Sequence, residues 1–161
     1  MIKKRPNIVG IAGEYFVAAE LSQRGLIATI TLKNTPKVDL LVTNPDNGKS
    51  ISIQTKTMSV ENNQGWNLAK STEEDAGLIN HYVVLVDLLG PNKLPEYYIF
   101  PQKTFCKYLY QKHRKWLRTP GRGGRPRKDN SVRCFDPQRN NKDDLEFGKP
   151  YKNNWKILNI W

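Results

Sequence analysis

A chain of 161 residues, 38% hydrophobic and 10% aromatic, suits one domain that buries most of the surface its unfolded form exposes. It contains no apolar run of the ~18 residues a membrane helix needs, and Met1-Ile2-Lys3-Lys4-Arg5-Pro6 carries charge with no apolar stretch behind it, unlike a signal peptide. The net charge of +11 lies wholly in the last part: residues 1–100 hold 10 Lys+Arg and 10 Asp+Glu, residues 101–161 hold 16 and 5. A neutral core with a basic end implies a polyanionic partner, nucleic acid before any other. An anionic membrane surface fits less well, because no amphipathic face accompanies the basic stretch. Cys106 and Cys134 allow one disulfide at most and are expected as buried, reduced thiols of a cytoplasmic protein.

In chain order, the pattern predicts a helix from about Val9 to Arg24, stopped by Gly25. Leu26–Leu32, rich in β-branched residues, is expected to be a strand. Val38–Thr43 and Ser50–Thr57 form two more, joined through the turn formers Asn44-Pro45-Asp46-Asn47-Gly48-Lys49. Ser71-Thr72-Glu73-Glu74 matches a capping box and predicts a short helix before Gly77. The nearly continuous apolar run His81–Leu89 predicts a central strand covered on both faces. A strand at Glu96–Phe100 follows. A helix then runs from Pro101, in its first turn, to about Leu117, with Phe105, Leu109 and Trp116 on one side. The expected fold is α/β: a central mixed β-sheet flanked by helices (αβββαβ) over residues 1–118. Residues 119–161 form a basic, partly flexible C-terminal extension that packs back on this core.

Two carboxylates and a lysine are placed to do chemistry. Glu14, Val17, Ala18 and Leu21 fall at i, i+3, i+4, i+7, so Glu14 shares the stripe that faces the sheet. A carboxylate there needs a metal, a cation or an outlet to solvent. Glu20 is turned away and has Arg24 four residues on, a solvated pair. If Asn44 pairs with Lys49, Asp39 comes opposite Gln54. Directly opposed Cβ atoms are ~4.5–5.5 Å apart, and Lys56 lies on the same face as Gln54. Glu14, Asp39, Gln54 and Lys56 are therefore the candidate site.

These residues resemble the PD-(D/E)-x-K nuclease superfamily, whose fold is the restriction-endonuclease-like core. The likeness covers about residues 8–100 and rests on Gly13-Glu14-Tyr15-Phe16-Val17-Ala18-Ala19-Glu20-Leu21, Val38-Asp39-Leu40-Leu41-Val42 and Ile53-Gln54-Thr55-Lys56-Thr57. Two positions depart from it. Lys37-Val38 precedes Asp39 where Pro is common, and Gln54 makes the triplet a Q-x-K variant. The resemblance implies a Mg²⁺- or Mn²⁺-dependent endonuclease, catalytic through Glu14, Asp39, Gln54 and Lys56. Asp39, the Gln54 side-chain oxygen, the Thr55 carbonyl and Glu14 would hold the metal directly or through water. Lys56 would orient the attacking water. Double-stranded DNA is the expected substrate, and a cutter of both strands needs two sites, hence a homodimer. The Gln54 departure equally allows a non-catalytic nucleic-acid-binding protein on a degenerate nuclease fold. A third class is an interaction protein whose basic face meets an acidic partner.

Lys112, Arg114, Lys115, Arg118, Arg122, Arg125, Arg127 and Lys128 form the candidate nucleic-acid surface, with no acid between the first and the last. Gly121-Arg122-Gly123-Gly124-Arg125-Pro126-Arg127-Lys128 resembles the Gly-Arg-Pro core of an AT-hook loosened by a glycine. It reads otherwise as a flexible loop that contacts phosphates alone. His81 and His113 lack spaced partners for zinc, Gly10 and Gly13 make no phosphate loop, and Trp66, Trp155 and Trp161 read as packing residues.

Overall fold

The computed structural model describes residues 6–32, 35–62, 64–138 and 141–161; the charged stretch at residues 1–5 lies outside them. Helix α1 (Pro6–Ser22) is apolar nearly all round and turns Gly13, Val17 and Leu21 inward. It ends as expected at Gly25, whose φ of 84° suits glycine and lets Leu26 N reach back to Leu21 O. Strands β1 (Ile27–Ile30), β2 (Leu40–Thr43) and β3 (Ser50–Met58) follow as an antiparallel meander. The β2–β3 hairpin has the expected register: Asn44 N donates to Lys49 O, and Leu40 stands opposite Ile53.

Beyond β3 the chain crosses over to β5 (His81–Asp87), which pairs with β3 in parallel, and β6 (Glu96–Pro101) returns antiparallel. The sheet is mixed, five strands in the order β1-β2-β3-β5-β6. As its apolar run implied, β5 is covered on both faces. One face carries Leu40, Val42, Ile51, Ile53, Val84 and Val86 against Val17 and Leu21 of α1 and against Trp155, Leu158 and Ile160 of the C-terminal residues. The other face carries Met58, Val83, Leu85, Tyr98 and Phe100. Over it lie α2 (Gln102–Arg118) through Phe105 and Leu109, and α3 (Lys142–Gly148) through Phe147.

Three details depart from the sequence pattern. The crossover holds strand β4 (Trp66–Ala69) and a 3-10 turn at Lys70–Glu73, with no α-helix at Ser71–Glu74. Its N-cap is Ala69, without a side-chain cap bond. Glu74, the acid of the expected box, is instead the extended residue that ends the turn, and Glu73 before it is held by the Arg133 guanidinium, with Nη2 to Oε1 at 2.9 Å. Second, β4 pairs with β7 (Val132–Phe135) in a small antiparallel ribbon, so that Trp66 faces Phe135. Both strands have four residues, the shortest run over which period-2 alternation is read, and neither stands out in the sequence. Third, Phe105 and Leu109 are buried, while Trp116 at the far end of α2 is 37% exposed.

Residues 119–161 are woven into both faces: β7 into the ribbon, Leu158 and Ile160 beneath α1. Asn44 Nδ2 and Asn47 Nδ2 donate to Ile160 O at 3.1 and 3.2 Å, which fixes the C-terminal residues to the β2–β3 turn. Both cysteines are free; Cys106 is buried, but Cys134 is exposed because its position on β7 points outward. The Glu20–Arg24 pair forms, yet it is not fully solvated: Arg24 also lies 5.3 Å from the Trp155 ring centroid. Among the described residues no helix is long and apolar enough to cross a membrane.

Candidate active site and nucleic-acid surface

The site is built where the β2–β3 ladder stops. Beyond Leu40, Asp39 N donates to Ile53 O at 2.8 Å, a pairing one residue out of step with the hairpin. The next inward amide on β3, Thr55 N, then has no backbone acceptor and donates to Asp39 Oδ2 at 2.7 Å. Thr55 Oγ1 adds a second bond at 3.1 Å. The aspartate backbone is clamped from the other side too, by Thr31 N to Asp39 O at 2.9 Å and Thr31 Oγ1 to Val38 O at 2.7 Å. Both Thr55 bonds use Oδ2, so Oδ1 retains lone pairs for another partner. In an extended strand the N–H and C=O of one residue point to the same edge, so the Thr55 carbonyl also faces this gap.

Helix α1 closes the gap from one face. Gly13 sits so near β3 that a Cβ there would lie 1.9 Å from Thr57 Oγ1. This close approach brings Glu14 over the strand, half-buried rather than inside the core. The result is a cleft of about 480 Å³ whose lining includes Gly10, Glu14, Asp39, Thr55, Lys56 and Thr57. Glu14, Asp39, Thr55 and Lys56 are thus brought together. Gln54 is not among the lining residues: its side chain lines an adjoining cavity of about 230 Å³ with Lys37, His81 and Gln102, and Lys56 lines both. The one-residue offset at Asp39 is the cause, since it draws the carboxylate toward Thr55 in the plane of the sheet and away from the face that carries Gln54.

Among the described residues no three His, Cys, Asp or Glu side chains converge. A cation here would have to use two carboxylates, a backbone carbonyl, solvent and the substrate. Magnesium accepts that kind of donor set, since it keeps several waters and takes few protein oxygens. The donor chemistry therefore fits a hard divalent ion. Neither histidine has metal-ligand company: His81 Nδ1 bonds Ser52 Oγ at 2.9 Å and His113 Nε2 bonds Asp129 Oδ1 at 2.7 Å.

The eight basic residues of the candidate surface divide by role. Lys112 is engaged inward, its Nζ 2.6 Å from both Cys134 O and the fully buried Asp144 Oδ2. Lys115 pairs with Asp143 in solvent. Arg114 lies over Tyr110 and Arg127 over Trp116. Arg118, Arg122, Arg125 and Lys128 are exposed. The Gly-Arg segment makes a compact turn in which Gly121 N donates to Arg125 O at 2.8 Å, with Gly123 and Gly124 at positive φ. The acids that meet this cluster, Asp129, Asp143 and Asp144, all lie outside its sequence window. No count within the window shows them, just as nothing in the sequence marks Thr31 as the clamp of Asp39.

The protein is mixed α/β, with a central mixed sheet and three described helices. It shares this fold with the bacterial homing endonuclease I-Ssp6803I: TM-score 0.55 at 12% identity, over 94% of this chain and 91% of that one. No family model matches the sequence, and comparison with curated protein sequences finds no match.

Proposed function

We propose that this protein is a metal-dependent endonuclease that hydrolyses nucleic-acid phosphodiester bonds, with double-stranded DNA as substrate. The observation that carries the proposal is the cleft itself: Asp39, held at the open edge of β3 by Thr55, shares one cavity with Glu14 and Lys56. The near full-length likeness to a homing endonuclease fold supports it. Asp39, Glu14 and the Thr55 carbonyl would hold Mg²⁺ or Mn²⁺, while Gln54, turned into the adjoining cavity, would stay outside the ion's donor set. Such an ion polarises the phosphate and acidifies a coordinated water. Lys56 donates hydrogen bonds to the attacking water and to the phosphate oxygens as charge develops on them. Glu14 orients that water or accepts its proton. The exposed Arg118, Arg122, Arg125 and Lys128 bind the phosphodiester backbone, and Arg114, Lys115 and Arg127 add to the same positive field. Cleavage of both strands would join two copies, each contributing one cleft.

A non-catalytic nucleic-acid-binding protein is the second reading, and the placement of Gln54 outside the cleft favours it. Supercoiled plasmid incubated with the protein in Mg²⁺, Mn²⁺ or chelator separates the two. Nicking or linearisation that needs metal and is lost in Asp39→Asn is the expected result. Salt-sensitive plasmid binding without cleavage in either metal would establish the second reading and refute the first.

A further inference from the structure

The cavity that adjoins the cleft has a chemistry of its own. Its aliphatic walls come from Leu68, Ala69, Ala76 and Val83, and Lys37 and Lys56 also line it. His81 and Gln102, 5% and 6% exposed, line it as well, and each carries a buried polar atom with no hydrogen-bond partner: His81 Nε2 and Gln102 Oε1. A buried donor or acceptor left unpaired is destabilising, and two on residues that line one polar cavity call for a partner.

The orientation of Gln102 is set by its other end. Nε2 donates to Glu74 O at 2.9 Å, so Oε1 can only accept. A phosphate oxygen, itself an acceptor, cannot satisfy it; a ring N–H or an exocyclic amine can. His81 Nδ1 is engaged with Ser52, which leaves Nε2 to complement the same ligand edge as donor or acceptor. Burial pushes the His81 pKa down, so the ring stays neutral near pH 7. At about 230 Å³ the cavity is smaller than the ~300–1,000 Å³ of pockets for drug-sized ligands. It suits a single planar ring.

We infer that this cavity receives one nucleobase of the substrate, turned out of its stack, with its hydrogen-bonding edge on His81 and Gln102 and its phosphate toward Lys37 and Lys56. The aliphatic walls would take the ring faces, as in other sites that read an extruded base. Because Lys56 also lines the cleft, the base belongs to a nucleotide beside the scissile phosphate. This rests on the nuclease reading only for that last point; the binding itself requires no metal and no cleavage.

The sequence has two histidines, which makes the test direct. Imidazole ¹⁵N resonances are followed in chelator while the four deoxynucleoside 5′-monophosphates are added in turn, with deoxyribose 5-phosphate as the baseless probe. At least one nucleotide should shift His81 Nε2, with deoxyribose 5-phosphate silent. Ala76→Leu, which fills the cavity from a loop, should abolish the shift, and Gln102→Leu should weaken binding about tenfold. Asp39→Asn should leave the response intact. Silence with all four nucleotides, or an equal response to deoxyribose 5-phosphate, overturns the inference even if plasmid cleavage persists. A base-dependent shift in a protein that cuts nothing sustains the pocket and sinks only the nuclease reading.

Discussion

Replacing Asp39 by Asn separates the two tasks this side chain performs. In the parent, Oδ2 accepts from Thr55 N at 2.7 Å and from Thr55 Oγ1 at 3.1 Å. Hydrogen bonds to a charged acceptor contribute ~1.5–3 kcal/mol and those to a neutral one ~0.5–1.5. Asn keeps an acceptor for Thr55, so the metal-free variant should lose only ~1 kcal/mol, or ~2–4 °C in melting temperature for a domain of this size. Asp39→Ala leaves Thr55 N to solvent and should cost more, ~1–3 kcal/mol. The effect on the metal is opposite in proportion. At Mn²⁺ concentrations 100-fold above its dissociation constant the parent should gain ~2.7 kcal/mol, a rise of roughly 5–10 °C at that same rate. The Asn variant, which halves the carboxylate charge of the cleft, should gain almost none. Thermal unfolding with and without Mn²⁺, paired with calorimetric titration, reads both quantities on the same samples. A metal-induced rise in Asp39→Asn equal to the parent's would remove Asp39 from the ion's surroundings and refute the proposed site.

Gly13→Ala sets a helix-propensity gain of ~1 kcal/mol against a Cβ placed 1.9 Å from Thr57 Oγ1. Overpacking at ~1–3 kcal/mol should win, shifting α1 and Glu14. Cleavage should drop further than stability, and Gly13→Ala with Thr57→Gly should recover part of both; no recovery in the pair would mean that Thr57 is not the obstacle. Arg133→Met breaks a buried pair with Glu73 and should destabilise by ~3–5 kcal/mol in denaturant unfolding. The Arg133 hydrogen bond holds the Glu73 pKa below its ordinary value near 4.5. The pair's contribution is therefore complete above that value and fades as pH falls toward the depressed folded-state pKa; a parent–variant gap unchanged through that acid range would contradict it. Alanine at Arg122, Arg125 and Lys128 should lower the slope of log affinity against log salt by about 0.9 per lost phosphate contact with little change in stability. Lys112→Ala should do the reverse, because it strands the buried Asp144 carboxylate. Gln54→Glu adds a carboxylate to the adjoining cavity and should leave Mg²⁺ affinity in calorimetry nearly unchanged; a marked tightening in the folded variant would bring residue 54 to the ion.

How far the sequence reaches is shown by the β2–β3 hairpin and the cleft beside it. The turn formers at residues 44–49 and the period-2 pattern of Ile51 and Ile53 decide that register by local means: slipping it by one residue would turn every buried side chain to solvent. The same holds for the Gly25 stop of α1, where only a residue tolerant of positive φ can end the helix, and for β5, whose unbroken apolar run demands cover on both faces. Tertiary structure alone decides the rest, because the partners are distant in sequence. Thr31 clamps Asp39, and the backbone steps out of register there, so the Asp39 carboxylate parts from Gln54, which lines a separate cavity with His81 and Gln102. Trp66 meets Phe135 across a ribbon of two four-residue strands that lie far apart in the sequence. Glu73 is held by Arg133, sixty residues on, and Lys112 leaves an apparently unbroken basic face to serve a buried Asp144. A local pattern sets which face a residue presents; which charged or polar group it meets is settled only when burial forces each to find a partner.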